Sequence, residues 1–319
     1  MIHEWNVALA SIFVCICAVL GLVQIILHLF NYNRPQMQLY VCRIVLMVPV
    51  YSLQSFLSIV YPSKALLFNT LRDCYEAYVL YLFTKLIINC LGGETTLICH
   101  FLTKRHIKHP WPLESLPTLV LDEGTFRKLK RGVLQFVLIK PLTASVALIL
   151  SGWGLYREGD FSWNQGYLYI SVVNNISVSI SLYCLMLMFL VCQDYLQPMG
   201  FVGKFLCVKS VIFFSFWQSC VFAVLVRMEV FGEFETAQAI TSEMQDLILC
   251  AEMGVASFFY WKHFSYKEFL LKQKRDYSLV STVGDLLNVK DVIKEAKSVF
   301  ASNKHTLPNY KDYSWEEFI

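Results

Sequence analysis

Residues 71–83 read LRDCYEAYVLYLF. Arg72, Asp73 and Glu76 stand at the front of a run that is otherwise apolar and aromatic. How this stretch is read decides the fold, because three ionisable groups within five positions argue against lipid while the length and flanks of residues 65–90 fit a bilayer span.

The rest of the chain favours lipid. Soluble domains carry about 25% charged residues, whereas this chain carries 16%, with 56% hydrophobic and 15% aromatic and a mean hydropathy of +0.50. A length of 319 residues alone suggests roughly two soluble domains, but the apolar segments group into a single helical bundle in a bilayer. A net charge of +3 is too small to imply a nucleic-acid partner.

A hydrocarbon core about 30 Å thick needs about 20 mostly apolar residues per helix. Seven stretches meet this, at roughly 5–30, 36–61, 65–90, 131–152, 165–191, 202–228 and 242–264. The third and seventh qualify despite internal charges. The first is long and lacks the basic flank of a signal peptide. The expected fold is therefore all-α: a polytopic seven-helix membrane bundle over residues 1–264, with a basic loop at about 91–130 and a polar tail at 265–319.

Lys and Arg counts orient it. The loop after the third span holds Lys104, Arg105, Lys108, Arg127, Lys128, Lys130 and Arg131, and the tail adds Lys262, Lys267, Lys272, Lys274 and Arg275. The opposite side has little more than Lys64 and Arg157, beside Glu158, Asp160, Glu233 and Glu235. Both basic segments then lie in the cytosol, with the N-terminus outside and the C-terminus inside. The membrane is not specified: plasma, endosomal and vacuolar membranes all fit.

In the loop, HPWPLESLPTLVLDEGTFRKLKRG reads as a surface-lying segment with Trp111 at the interface and lysines toward anionic lipid; an ordinary basic loop explains the charges equally well. Cys99, His100, His106 and His109 match no zinc-site spacing. The eleven cysteines show no CxxC pattern and read as small packing residues, with Cys90, Cys99 and Cys192 near enough to the cytosolic boundary for palmitoylation. The sequon Asn175-Ile-Ser falls inside a span, out of reach of glycosylation. In the tail, Leu286, Val289, Ile293, Ala296 and Phe300 mark an amphipathic helix at about 284–300, and YSLV at 277–280 resembles a sorting signal. No repeat stands out.

Charged groups inside spans usually face the bundle interior and usually pair. Arg72 lies one turn before Glu76 on the same face, placed for an ion pair, and Asp73 shares that face. Lys140 precedes Pro141 in the fourth span, Asn174 and Asn175 lie in the fifth, Lys209 and Gln218 in the sixth, and Glu252 in the seventh. Arg43 and Pro49 interrupt the second, where the proline is expected to kink the helix. Carboxylates of the third and seventh spans are thus expected to face lysines of the fourth and sixth. Two readings stay open: a polar cavity for cargo built from Arg72, Asp73, Glu76, Lys140, Asn174, Asn175, Lys209, Gln218 and Glu252, or buried ion pairs that only fix helix register. Lys85 and Arg227, near span ends, read as snorkelling to the surface. No HExxH, GxSxG or phosphate-cradling glycine loop is present, so no catalytic site, metal or cofactor is expected. The seventh span has no central lysine for a retinal Schiff base.

RDCYEAYVLYLF, LGGE at 91–94, GVLQFVLIKP at 132–141, VVNNISVSISLYCL, VGKFLCVKSVIFFSFWQ and LILCAEM occur in that order. Together with DVIKEA they resemble the organic solute transporter alpha / transmembrane protein 184 family over residues from about 20 to about 300. The resemblance implies a seven-helix, N-out membrane protein. One branch exports bile acids, steroid conjugates and similar amphipathic anions with a small single-span beta subunit. That branch carries a dense cysteine run after its third helix; here only Cys90 and Cys99 occupy the region, which places the chain nearer the transmembrane 184 and plant Lazarus-like branches and argues against the beta partner. The expected partners are membrane lipids and an amphipathic organic solute, with a homo-oligomer compatible. The expected function is facilitated movement of a lipid-like or steroid-like anion, Lys140, Lys209 and Arg72 attracting its acidic group while Glu76 and Glu252 hold those cations. The competing class is a non-transporting receptor-like or trafficking regulator acting through the basic loop and tail.

Overall fold

The computed structural model describes residues 2–270, apart from 111, 112, 116, 161, 198, 199 and 229–233, together with residue 284. Long helices dominate: α1 (Ile2–Phe30), α2 (Pro35–Val45), α3 (Met47–Val60), α4 (Ala65–Cys90), α5 (Glu94–Lys104), α6 (Glu123–Gly152), α7 (Gly166–Leu196), α8 (Phe201–Arg227) and α9 (Phe234–His263). A two-residue antiparallel ribbon, β1 (His106–Ile107) with β2 (Leu119–Val120), is the sole sheet among the described residues. The tail helix expected at 284–300 and the interfacial Trp111 lie outside the described residues, Gly284 excepted.

By length and composition, four helical stretches among the described residues can cross a membrane: His3–Phe30, Pro35–Val60, Glu123–Gly152 and Gly166–Leu196. A fifth is added if Pro62–Cys90 and Glu94–Lys104, bent by 79°, count as one broken span. Composition alone does not place α4 in lipid, because Arg72, Asp73, Glu76 and Lys85 lie along it. Its charges have to be met by protein.

Local chemistry sets the breaks. Pro49 has no N–H for the Val45 carbonyl, and the helix interrupts at Leu46, where Leu46 N still bonds Cys42 O at 3.0 Å and Val50 N bonds Leu46 O at 3.1 Å. After α4, Gly92 and Gly93 of the LGGE stretch adopt φ of 85° and 106°, a backbone region open to glycine; there the chain turns sharply into α5. Glu94, the next residue, lies 2.5 Å from Lys130 and 3.9 Å from Lys85. Lys85 is therefore tied to this turn rather than snorkelling, which corrects the reading from its place near a helix end. Arg227's side chain lies outside the described residues.

Helix α6 begins at Glu123, so residues 123–130 of the expected loop are helical. The reason is a cap: the Asp122 carboxylate accepts from Thr125 N at 2.6 Å, and Glu123 pairs with Arg127 one turn on. The Thr125 hydrogen bonds hold the Asp122 carboxyl below its ordinary 3.8. Replacing Asp122 by alanine is expected to cost about 1 kcal/mol. Because the folded pKa is depressed, the wild-type advantage should be full above the unfolded value and fade as pH falls below 3.8; melting both proteins across pH checks this.

The core packs around the inner half of α4, where Val79, Leu80, Leu82, Phe83 and Ile87 are fully buried. Helix α1 and the turn after it close the bundle through polar contacts to the end of α9 and the short helical turn at Tyr266–Phe269 that follows it. Gln24 donates to Tyr260 O (3.0 Å) and Phe264 O (2.8 Å), His28 Nε2 donates to Phe264 O (2.9 Å), and Asn33 donates to Phe269 O (3.0 Å). The Phe264 and Phe269 carbonyls, at or just past the ends of these helical segments, gain donors in this way. Between α6 and α7, a side chain at Gly132 would collide with Cys184, so glycine permits their close approach.

Candidate functional site: a two-chambered polar cavity

Helical spacing puts Arg72, Asp73 and Glu76 on one face of α4. That face points into the bundle, and a chain of charges runs across it. Lys140 of α6 lies 2.9 Å from Asp73, Arg72 Nε lies 3.8 Å from Asp73, and Arg72 Nη1 lies 3.2 Å from Asp246 of α9. Ser55 of α3 accepts from Arg72 at 3.3 Å. Four helices are thereby joined, with the Arg72, Lys140 and Asp246 side chains 12%, 13% and 5% exposed. Such pairs add little net stability against apolar packing, but losing one partner strands a desolvated charge.

Two chambers of about 310 Å³ each flank this chain. Arg72, Asp73, Lys140, Asn174, Asn175 and Gln245 border both. The first chamber continues past Asn69, Tyr156, Glu158, Tyr167 and Asp246 toward the loop between α6 and α7. The second is deeper, with Tyr51, Glu76, Phe136, Lys209, Phe213 and Gln218 on its walls.

Eight of the nine residues singled out by sequence, Arg72, Asp73, Glu76, Lys140, Asn174, Asn175, Lys209 and Gln218, thus border the deeper chamber. Glu252 stands behind it and accepts a short hydrogen bond from Gln218. Two expected pairings are corrected. Arg72 reaches sideways to Asp246 and Asp73 rather than along the helix to Glu76, because a partner on α9 lies within its span. Glu252 engages Gln218 of α8 rather than a lysine. Asp73 with Lys140 is the one expected cross-helix pairing of carboxylate and lysine that forms among the described residues. Asn174 accepts from Thr143 of α6 at 2.7 Å, while Asn175 donates to Ser171 O of its own helix at 2.9 Å.

Lys209 makes no ion pair among the described residues; its ammonium lies 5.8 Å from the Phe205 ring centre. The deeper chamber is thus bordered by three cations, Arg72, Lys140 and Lys209, and two carboxylates, Asp73 and Glu76. Arg72 is met by Asp246 and Lys140 by Asp73, which leaves Lys209 as the cation with no ion pair among the described residues. Tyr51 is 1% exposed on the same wall, and its hydroxyl has no partner among the described residues. A buried hydroxyl left so costs about 1–3 kcal/mol, and a ligand group or water can satisfy it.

Sequence reasoning missed Asp246, Tyr51, Ser55, Asn69 and Glu158. Asp246 lay inside an expected span and carried the same signal as Glu252. Glu158 reads in sequence as a plain outer-loop charge, yet it borders the first chamber. Surrounding protein and the nearby Asp73 carboxylate raise its pKa, partly offset by Arg72 and a hydrogen bond from Asn69. Two histidines after α4 contact rings of α7: His109 stacks on and hydrogen-bonds Tyr183, and His100 lies 4.0 Å from the Tyr195 ring centre.

The organic solute transporter Ostalpha family model matches residues 6–269. The chain belongs to that family. Among curated proteins, it is 35% identical over 303 residues to Protein LAZ1 of Arabidopsis thaliana, covering 89% of this chain and 62% of that one. It is 35% identical over 317 residues to a transmembrane protein 184 homolog of Dictyostelium discoideum, covering 94% and 62%. It is also 35% identical over 271 residues to Protein LAZ1 homolog 1 of Arabidopsis thaliana, covering 79% and 56%. The chain thus spans about three-fifths of the length of these relatives. They represent the transmembrane 184 and Lazarus-like side of the family, to which the motifs pointed. No solved structure matches. Family and apolar helices together make this an integral membrane protein.

Proposed function

We propose that the chain is a facilitative carrier of amphipathic organic anions, built as seven spans with the N-terminus outside and both basic segments in the cytosol. In this arrangement α2 with α3 forms the second span, α5 with the ribbon lies on the cytosolic face, and the loop holding Glu158 faces outside. Tags in the 153–165 loop should be reached by antibody on intact cells, and tags at the C-terminus only after permeabilisation; the reverse pattern rejects the orientation.

The observation that carries the reading is the charge of the deeper chamber. Arg72 is paired with Asp246 and Lys140 with Asp73, while Lys209 makes no ion pair among the described residues and shares the chamber with the apolar walls of Phe136, Ile212, Phe213 and Leu249. Ionisable groups inside a membrane bundle are expensive and mark substrate or ion paths. A solute with one acidic group and an apolar body matches both surfaces. Its movement would follow its own gradient, since no nucleotide-binding motif accompanies the helices. Uptake of a labelled steroid sulfate into vesicles bearing the purified protein, compared with protein-free vesicles, tests this; equal uptake across a panel of amphipathic anions rejects it.

A specific observation favours a second reading. The Lys140–Asp73 and Arg72–Asp246 pairs close on each other, as they would in a trafficking or receptor-like regulator whose buried charges only fix register. That reading expects no flux and a trafficking defect on deletion of residues 271–319.

A further inference from the structure

A third hollow lies outside the charged chambers, on the flank of the bundle. A groove of about 740 Å³ runs between α8 and α9, within the ~300–1,000 Å³ typical of small-molecule sites. Its walls include Leu206, Phe213, Phe214 and Phe259, which are 56%, 50%, 52% and 54% exposed and so face the bundle's surroundings. In a membrane protein those surroundings are acyl chains. His263 lies at one end.

Lys209 breaks the apolar character. It borders both this groove and the deeper chamber, as does Phe213 one turn along. A lysine on an otherwise apolar flank would ordinarily reach the headgroups. Lys209, however, is eight residues into α8, about 12 Å from its start at 1.5 Å per residue, and its side chain lies on the wall between groove and chamber. Charges at such depth normally pair, and this one makes no ion pair among the described residues. The other two cations of the chamber it faces are paired, Arg72 with Asp246 and Lys140 with Asp73. The same chamber is bordered by the Tyr51 hydroxyl, which has no partner among the described residues.

We propose that the α8–α9 groove is the site where the cargo enters sideways from the bilayer: a single-headed anionic amphiphile, its acidic group at Lys209 and its apolar body along Leu206, Phe213, Phe214 and Phe259. The proposal rests on the carrier reading for the transfer step after binding, and adds the route and the cargo's shape. Charge complementarity selects the occupant. A neutral sterol or alcohol fills the apolar walls and leaves Lys209 without a counter-charge, whereas a carboxylate, sulfate or phosphate monoester on one apolar body satisfies both. From Lys209 the head passes to the chamber side of the same ammonium without the charge crossing bare hydrocarbon.

Photolabelling tests this without requiring transport. The full chain in lipid nanodiscs is exposed to a long-chain fatty acid bearing a diazirine near its tail, and in parallel to the matching alcohol, and labelled peptides are mapped by mass spectrometry. The acid should label residues 202–214 and 256–263. A charge-assisted contact of about 1.5–3 kcal/mol predicts labelling by the acid roughly tenfold or more above the alcohol at equal loading. Lys209→Gln should erase that preference and Lys209→Arg should keep it, each variant checked for an unchanged unfolding midpoint. The acid-to-alcohol comparison in the wild type stands even if Lys209→Gln does not fold. Equal labelling by acid and alcohol, or label concentrated on the outer chamber at 156–174, overturns the proposal. Vesicle flux measured alongside separates the two claims: groove labelling without flux keeps the groove and rejects the carrier, and flux without groove labelling does the opposite.

Discussion

Replacing Asp73 by leucine is expected to destabilise the protein by about 3 kcal/mol. Asp73 is the shared anion of the charge chain, 2.9 Å from Lys140 and 3.8 Å from Arg72. Its loss leaves Arg72 with Asp246, but it strands Lys140, whose side chain is only 13% exposed. Breaking a buried pair typically costs about 3–5 kcal/mol; the lower end applies here because Asp73 itself is 37% exposed to the chamber. Adding Lys140→Met to Asp73→Leu should restore most of the loss, since apolar replacement of both partners is close to neutral. Unfolding in detergent micelles for the single and double variants should then show coupling of about 2 kcal/mol. Additive losses would show that the two side chains do not act as a pair.

The same chain of charges shows how far sequence could go. Helices were legible because long apolar runs have few alternatives in lipid, and LRDCYEAYVLYLF is helical within α4, as its flanks imply. Which α4 residues point inward was also legible, from the 3–4 spacing of Arg72, Asp73 and Glu76. Partners across helices were legible only in kind. Asp73 and Lys140 meet, but Arg72 passes over Glu76 for Asp246, a choice set by how α9 packs on α3 beside α4. Tyr51 and Ser55 carry no sequence signal at all: a tyrosine and a serine in an apolar run read as ordinary. They become notable once Arg72 donates to the serine and the tyrosine is found unpartnered on the chamber wall. Helix ends escape a hydropathy reading where capping sets them, as at Asp122.

Lys209→Gln is expected to reduce steroid sulfate flux by about tenfold to a hundredfold while leaving stability nearly unchanged. The asymmetry with Asp73 follows from the pairing. Lys209 makes no ion pair among the described residues, so its neutralisation strands no carboxylate and removes the cost of an uncompensated cation. What it does remove is the one cation bordering the deeper chamber that makes no ion pair among the described residues, since Arg72 is held by Asp246 and Lys140 by Asp73. A charged hydrogen bond to an anion's head is worth about 1.5–3 kcal/mol, which sets the size of the flux change if cargo is recognised there. Lys209→Arg should retain most of the flux, since the charge is kept. Glu76→Gln leaves the chamber one unit more positive, and should tighten anion binding while slowing release. The register-only reading predicts something different for all three: no flux in wild type or variants, and stability changes confined to Arg72, Asp73, Lys140 and Asp246. Flux and unfolding midpoints measured on the same preparations therefore separate a cavity that serves cargo from charges that serve only each other.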